Sequence, residues 1–188
     1  HFEITPYRKE AAYSDYRHPD QIFPCSTIQE DSQRRDFTIN ALYFDNKNKI
    51  YDFYGGIQDL KEKQLKTIKT AEISFQEDPL RMLRALRFQA VYHFNLSPEI
   101  QEAITKNKFL FDKISFYRKK QELEKIFYAH GISILYQWNL EKYFHLPKEY
   151  QEVEDITLFW AQLDYEYYPF SKKEKKRFKD IQKTHTLK

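Results

Sequence analysis

Two short stretches of this chain carry side chains whose types and spacing suit chemistry: Arg34-Arg35-Asp36-Phe37-Thr38-Ile39-Asn40-Ala41-Leu42 and Glu77-Asp78-Pro79-Leu80-Arg81-Met82-Leu83-Arg84. Each sets charged groups among apolar ones so that one face is polar. Arginine suits phosphate oxygens, because its planar fork donates two parallel hydrogen bonds. A strand running from Thr38 to Phe44 would place Arg34, Asp36, Thr38 and Asn40 on one surface and Phe37, Ile39 and Ala41 in a core. Asp36 would then accept from a sugar hydroxyl.

In the second stretch Glu77 and Asp78 lie within one helical turn of Arg81. A carboxylate only accepts hydrogen bonds and a guanidinium only donates them. Together they ask for an amino donor beside a ring-nitrogen acceptor, the edge that cytosine and adenine present. Guanine and uracil present the reverse and would leave groups unpaired, at about 1–3 kcal/mol each. Glu77 would brace Arg81. The same residues also fit a plainer pattern, with Ser74 to Glu77 as a capping box and Arg81, Arg84 and Arg87 as a solvated stripe opposite Leu80, Leu83 and Leu86.

The elements that must position these groups fall into two regimes. Residues 1–8 and 22–28 read as short strands around a polar loop at 9–20, and Asp45 to Lys49 reads as a hairpin loop into Ile50-Tyr51-Asp52-Phe53. Gly55-Gly56 follows in a chain with only three glycines, which marks a sharp turn or hinge. From residue 57 the pattern is helical. It predicts helices over 75–92, from Ser97-Pro98-Glu99 to about 106, over 115–129 closed by Gly131, and over 131–139, 147–163 and 171–183. The fold class is therefore α+β, a β-rich part followed by an all-helical remainder.

With 188 residues, 31% charged and 18% aromatic, the composition is that of a globular chain. No apolar run is long enough to cross a bilayer, and no signal-peptide pattern opens the chain. The single Cys25 excludes an internal disulfide and a cysteine zinc site, and a cytoplasmic setting is expected. His93, His130 and His145 have no metal-ligand spacing, so no metal ligands are assigned. The net charge of +3 is uneven: residues 171–188 hold eight Lys/Arg against Glu174 and Asp180, a net of +6, so the remainder carries −3. A basic end of this kind would suit a phosphate backbone or simply be solvated.

The arginine stretch, then Asp52-Phe53-Tyr54-Gly55-Gly56-Ile57-Gln58-Asp59-Leu60, then Glu77-Asp78-Pro79-Leu80-Arg81, in this order, resembles the class II tRNA nucleotidyltransferases, the CCA-adding enzymes and their bacterial poly(A) polymerase relatives. Phe2-Glu3-Ile4-Thr5-Pro6-Tyr7-Arg8, with Arg17 and Pro19 beyond, resembles that family's head strand and flexible loop. The likeness runs over about residues 1–130. It implies the C-terminal part of a nucleotidyltransferase head, an antiparallel β-sheet with helices, over 1–56. A neck that reads the base would follow over 57–130, and a helical body with possible RNA contact over 131–188.

The resemblance also implies roles. Arg34 and Arg35 would hold a triphosphate, Asp36 the sugar, and Asn40 would order the site. Asp78 and Arg81 would pair with CTP or ATP, steadied by Glu77, with Arg84 also on the nucleotide. Asp52, Gly55 and Gly56 would form the hinge, and Arg118 and Glu122 would support the neck. The activity implied is template-independent addition to the 3′ end of tRNA with Mg2+. Alternatives are a poly(A) polymerase or a non-catalytic nucleotide- or RNA-binding module. The chain departs from the family in two places. The paired metal-binding carboxylates are absent from 1–30, which leaves Glu3 as the one acidic catalytic candidate and implies that this is part of a longer polypeptide. Tyr117 stands where the neck motif usually carries an acid.

Overall fold

A computed structural model describes residues 4–16 and 18–184. Glu3 and Arg17 lie outside the described residues. The β-rich part consists of two antiparallel hairpins. Strands β1 (Arg8–Ala11) and β2 (Gln21–Pro24) pair with Arg8 opposite Pro24, so β1 occupies part of the segment expected to be loop. Strands β3 (Leu42–Phe44) and β4 (Ile50–Asp52) pair across the expected Asp45 to Lys49 loop. Between the hairpins a short helix, α1 (Ile28–Ser32), is capped by Thr27, whose hydroxyl accepts from the Glu30 N–H at 3.2 Å.

The expected strand does not begin at Thr38. Residues Thr38–Asn40 form a 3-10 turn, and the strand starts only at Leu42. Side chains here capture groups that a ladder would leave free. The Thr38 hydroxyl donates to Asp59 at 2.7 Å, and the Asn40 amide donates to Asp36 at 2.9 Å. Arg34, Asp36, Thr38 and Asn40 therefore do not share one strand face.

Helix α2 (Gly56–Glu62) starts at the glycine pair. Its first N–H groups are taken by the Asp52 carboxylate, which accepts from Gly56 and Ile57, each at 2.9 Å. Gly55 sits at φ +76, where a side chain is strained. Gly56 is pressed on the Thr38 carbonyl: a Cβ there would lie 2.4 Å from that oxygen.

The expected helix over 75–92 is broken in two. Helix α3 (Ala71–Glu77) ends at Asp78, which is extended at φ −145 and ψ 100, and helix α4 (Leu80–Tyr92) begins after Pro79. The ring of Pro79 disfavours helical geometry at the residue before it, while its own φ of −57 suits a helix start. Ser74 is thus inside α3 rather than capping it, and the Ala71 N–H is capped instead by Glu99 at 2.8 Å.

Helix α4 turns Leu80, Met82, Leu83, Ala85, Leu86 and Phe88 into the core. Fully burying one such side chain contributes about 1.5–3 kcal/mol. Phe37, fully buried, meets Phe88 edge-on with ring centroids 5.5 Å apart, so the arginine stretch is anchored on α4.

The remainder is not wholly helical. Strands β5 (Gln64–Leu65) and β6 (Asn95–Leu96) form a parallel pair flanking α3 and α4. On its other side the same segment bridges Phe37 through Thr67, with the Thr38 N–H donating to the Lys66 carbonyl at 3.0 Å. Helices α5 (Pro98–Asn107) and α6 (Phe116–Tyr128) follow, and α6 packs along α4. Then come α7 (Ser133–Gln137), α8 (Ile156–Gln162) and α9 (Lys172–Thr184). The expected helix over 147–163 shrinks to α8, which starts where Asp155 caps it.

His93, His130 and His145 occupy left-handed backbone at helix ends, with φ of 58, 53 and 47. That is the position glycine often takes. Gly131 does not supply it; its Cβ would meet that of Ala90 at 2.6 Å, so it serves close packing instead. No helix among the described residues is long and apolar enough to cross a membrane.

Candidate functional site: two charged segments joined across the fold

The structure brings the two stretches together. Asp36, 9% exposed, is held between its own segment and α4. One oxygen accepts from the Phe37 N–H at 3.0 Å and from the Asn40 amide at 2.9 Å, and the other accepts from Arg84 Nε at 2.6 Å. Burial alone would raise the Asp36 carboxyl. The Arg84 charge and these hydrogen bonds outweigh it and hold the group below the ordinary aspartate value.

Arg81, 8% exposed, is the second link. Its Nη1 donates to the Ser74 hydroxyl at 3.0 Å and to Glu77 at 3.1 Å, and its Nη2 donates to the Arg34 carbonyl at 3.2 Å. Glu77 thus braces Arg81, and Ser74 joins it. Asp78 sits at the break between α3 and α4. One oxygen accepts from the Leu80 N–H at 3.1 Å and the other from Arg118 Nη2 at 2.6 Å. Each carboxylate oxygen has two lone-pair sites, so both keep room for a further donor. Glu122, beyond Arg118 on α6, accepts from Arg87 at 2.6 Å and from Lys125 at 2.8 Å.

Arg34 and Arg35 do not stand free on a strand. Both reach back to Asp31 on α1, Arg34 Nε at 2.9 Å and Arg35 Nη2 at 3.4 Å. Asp31 also accepts from Tyr43 at 2.7 Å and from the Arg8 N–H at 3.1 Å. Burial would raise its carboxyl, but these donors bring it down to about 2. Arg35 keeps the most freedom: its side chain is 39% exposed and its buried Nε has no partner.

Sequence reasoning missed Asp31 as the hub of the arginine pair, although Arg34 and Arg35 follow it at i,i+3 and i,i+4, just past the end of α1. It also missed Lys69, whose Nζ donates to Glu77 at 2.5 Å from a loop with no periodic pattern.

The known proteins most informative about this arrangement carry the same architecture. Residues 1–66 match the poly A polymerase head domain. The CCA-adding enzyme of Bacillus subtilis is 40% identical over 159 residues, 82% of this chain and 40% of that protein. The CCA-adding enzyme of Streptococcus uberis is 38% identical over 158 residues, 83% of this chain and 39% of that protein. The crystal structure of the Bacillus stearothermophilus CCA-adding enzyme in complex with CTP superposes with a TM-score of 0.64 at 32% identity, covering 74% of this chain and 34% of that one. An apo CCA-adding enzyme structure gives 0.68 at 25% identity, covering 94% of this chain and 47% of that one.

The fold is that of solved CCA-adding enzymes, and its N-terminal third matches a poly(A) polymerase head. Residues 1–66 belong to the poly A polymerase head-domain family, and over four fifths of the chain its homologues are CCA-adding enzymes, of whose length it spans about two fifths. That family uses a divalent metal in general. Among the described residues no group of three or more His, Cys, Asp or Glu is placed to hold one, and the Asp31 and Asp36 carboxylates are engaged by arginines. These residues do not make a metal centre.

Proposed function

We propose that this chain is the nucleotide-recognising portion of an enzyme that extends the 3′ end of tRNA from CTP and ATP without a nucleic-acid template. The observation that carries this reading is the double link between the two stretches, Arg84 to Asp36 at 2.6 Å and Arg81 to the Arg34 carbonyl at 3.2 Å. A triphosphate seated at Arg34 and Arg35 would have its sugar at Asp36 and Asn40. Its base would lie along α4, where Asp78 accepts from an exocyclic amino group and Arg81 donates to a ring nitrogen.

Residues 1–56 act as head, 57–130 as neck and 131–188 as body, with Asp52, Gly55 and Gly56 at the head–neck turn and the lysines of α9 toward RNA. Arg118 and Glu122 hold the neck through Asp78 and Arg87. The Mg2+ of the complete enzyme rests on ligands other than the residues described here. The working compartment is the cytoplasm, where tRNA ends are processed.

The test uses the full-length protein carrying this chain, tRNA ending at the discriminator base, and each nucleoside triphosphate in turn, with the 3′ ends sequenced. Addition of C, C and A, or of the final A alone, supports the reading. A homopolymeric A tail moves the protein to the poly(A) branch, and no addition overturns it. Asp78→Ala and Arg81→Ala should each admit GTP and UTP; unchanged selectivity in both would remove the base-reading assignment.

A further inference from the structure

We propose that Lys69 is a positioning residue for base selection, acting on Arg81 through the carboxylate of Glu77. The inference rests on the reading of Arg81 as a base-facing donor and deepens it. Lys69 lies in the loop before α3, its side chain one third exposed, and its Nζ reaches Glu77 Oε1 at 2.5 Å. The other Glu77 oxygen accepts from Arg81 Nη1 at 3.1 Å. One carboxylate is therefore divided between two cations, one oxygen each.

That division sets how Arg81 is presented. Its Nη1 has two hydrogens and three acceptors within reach, the Ser74 hydroxyl at 3.0 Å, the Ser74 carbonyl at 3.4 Å and Glu77 at 3.1 Å. Its Nη2 gives one hydrogen to the Arg34 carbonyl, leaving the second for a ligand. A Glu77 freed of Lys69 would have both oxygens available for the guanidinium fork and would draw it into a bidentate pair, the geometry arginine and carboxylate favour. The fork would then turn away from the base edge. Lys69 prevents this by occupying the second oxygen.

It also sets the local charge. Glu77 and Arg81 alone cancel; with Lys69 the trio carries +1, which favours a ring-nitrogen acceptor over a ring N–H donor facing Arg81. Both effects point the same way, toward cytosine and adenine.

The experiment measures kcat and KM for CTP, ATP, GTP and UTP with the full-length protein, together with equilibrium binding of CTP and GTP. The variants are Lys69→Gln and Lys69→Arg. The expected result for Lys69→Gln is a 3- to 10-fold rise in KM for CTP and ATP, a matching rise in relative GTP use, and an unchanged melting temperature. Lys69→Arg, which keeps the charge and the donor, should restore selectivity to within about 2-fold. A Lys69→Gln protein that melts as wild type and keeps the wild-type CTP-to-GTP ratio overturns the inference alone. An equal loss for all four nucleotides, unrescued by arginine, also overturns it by assigning Lys69 a purely structural role. Wild-type protein that shows no preference among the four nucleotides overturns the functional reading and this inference together.

Discussion

The Asp36 carboxylate accepts from Arg84 Nε at 2.6 Å, so the segment after α1 is tied to helix α4 by an ion pair between residues 48 apart in the chain. The pair is largely out of water: the Asp36 side chain is 10% exposed and that of Arg84 30%. Removing one partner of such a pair leaves the other's charge uncompensated. Arg84→Ala should therefore destabilise by about 2 kcal/mol, a fall in melting temperature of about 4–8 °C in calorimetry.

The same pair has a pH signature. Asp36 titrates below its ordinary value, so its contribution is present above that value and is lost as pH falls through the depressed one. With Arg84 gone, burial dominates and the carboxyl moves up. The fall in stability as pH drops below the ordinary aspartate value should then be shallower in Arg84→Ala than in wild type, because the depressed native value that drives it is gone; acid limbs of equal steepness would contradict this.

Asp31 offers a second acid prediction. Its carboxyl moves from 3.8 down to about 2, with Tyr43, Arg34 and the Arg8 N–H outweighing burial. A depressed carboxylate stabilises fully above its unfolded value and loses that contribution as pH falls through the folded one. The loss falls between about pH 4 and about pH 2. Asp31→Asn should be less stable at neutral pH and should flatten this window in circular dichroism, while loosening Arg34 and Arg35 together.

The glycine pair should separate into two distinct penalties. Gly55→Ala meets open space but must hold φ +76, which costs about 1 kcal/mol. Gly56→Ala places a Cβ 2.4 Å from the Thr38 carbonyl oxygen, so backbone must move, at about 2–3 kcal/mol. Denaturant melts of the two variants check the order; equal losses would mean that the turn yields.

Pro79→Ala should let Asp78 fall into helical geometry and join α3 to α4. The Asp78 carboxylate would then turn off the 2.6 Å contact with Arg118. On the proposed reading of Asp78, the measurable outcome in the full-length protein is weaker discrimination of CTP from UTP, with a fall in melting temperature from the lost ion pair.

Much of this was legible beforehand. The Asp45 to Lys49 hairpin, helix α6 and the glycine turn follow from local signals that tertiary contacts leave undisturbed. The break at Asp78 was written in the proline after it, but the apolar period ran through the break and masked it. Thr38 to Asn40 looked like a strand because its apolar pattern was right; what changed it were Asp59 and Asp36, hydrogen-bond partners that no local window reveals. Lys69 was illegible for the same reason, since its meaning lies wholly in Glu77, eight residues away across a helix start.

The segment 63–68 takes backbone hydrogen bonds on both edges, from Thr38 on one side and from Asn95 and Ser97 on the other. On a ribosome these partners appear in sequence. The arginine stretch is synthesised first; its Thr38 N–H meets its acceptor only when Lys66 emerges, and the far edge of that segment is filled only when Asn95 and Ser97 are made. The order of synthesis therefore places the outer edge of this seam last: Lys63 and Leu65 gain their second set of backbone partners only after α4 is complete, whereas the side-chain links from Arg81 and Arg84 are in hand before it.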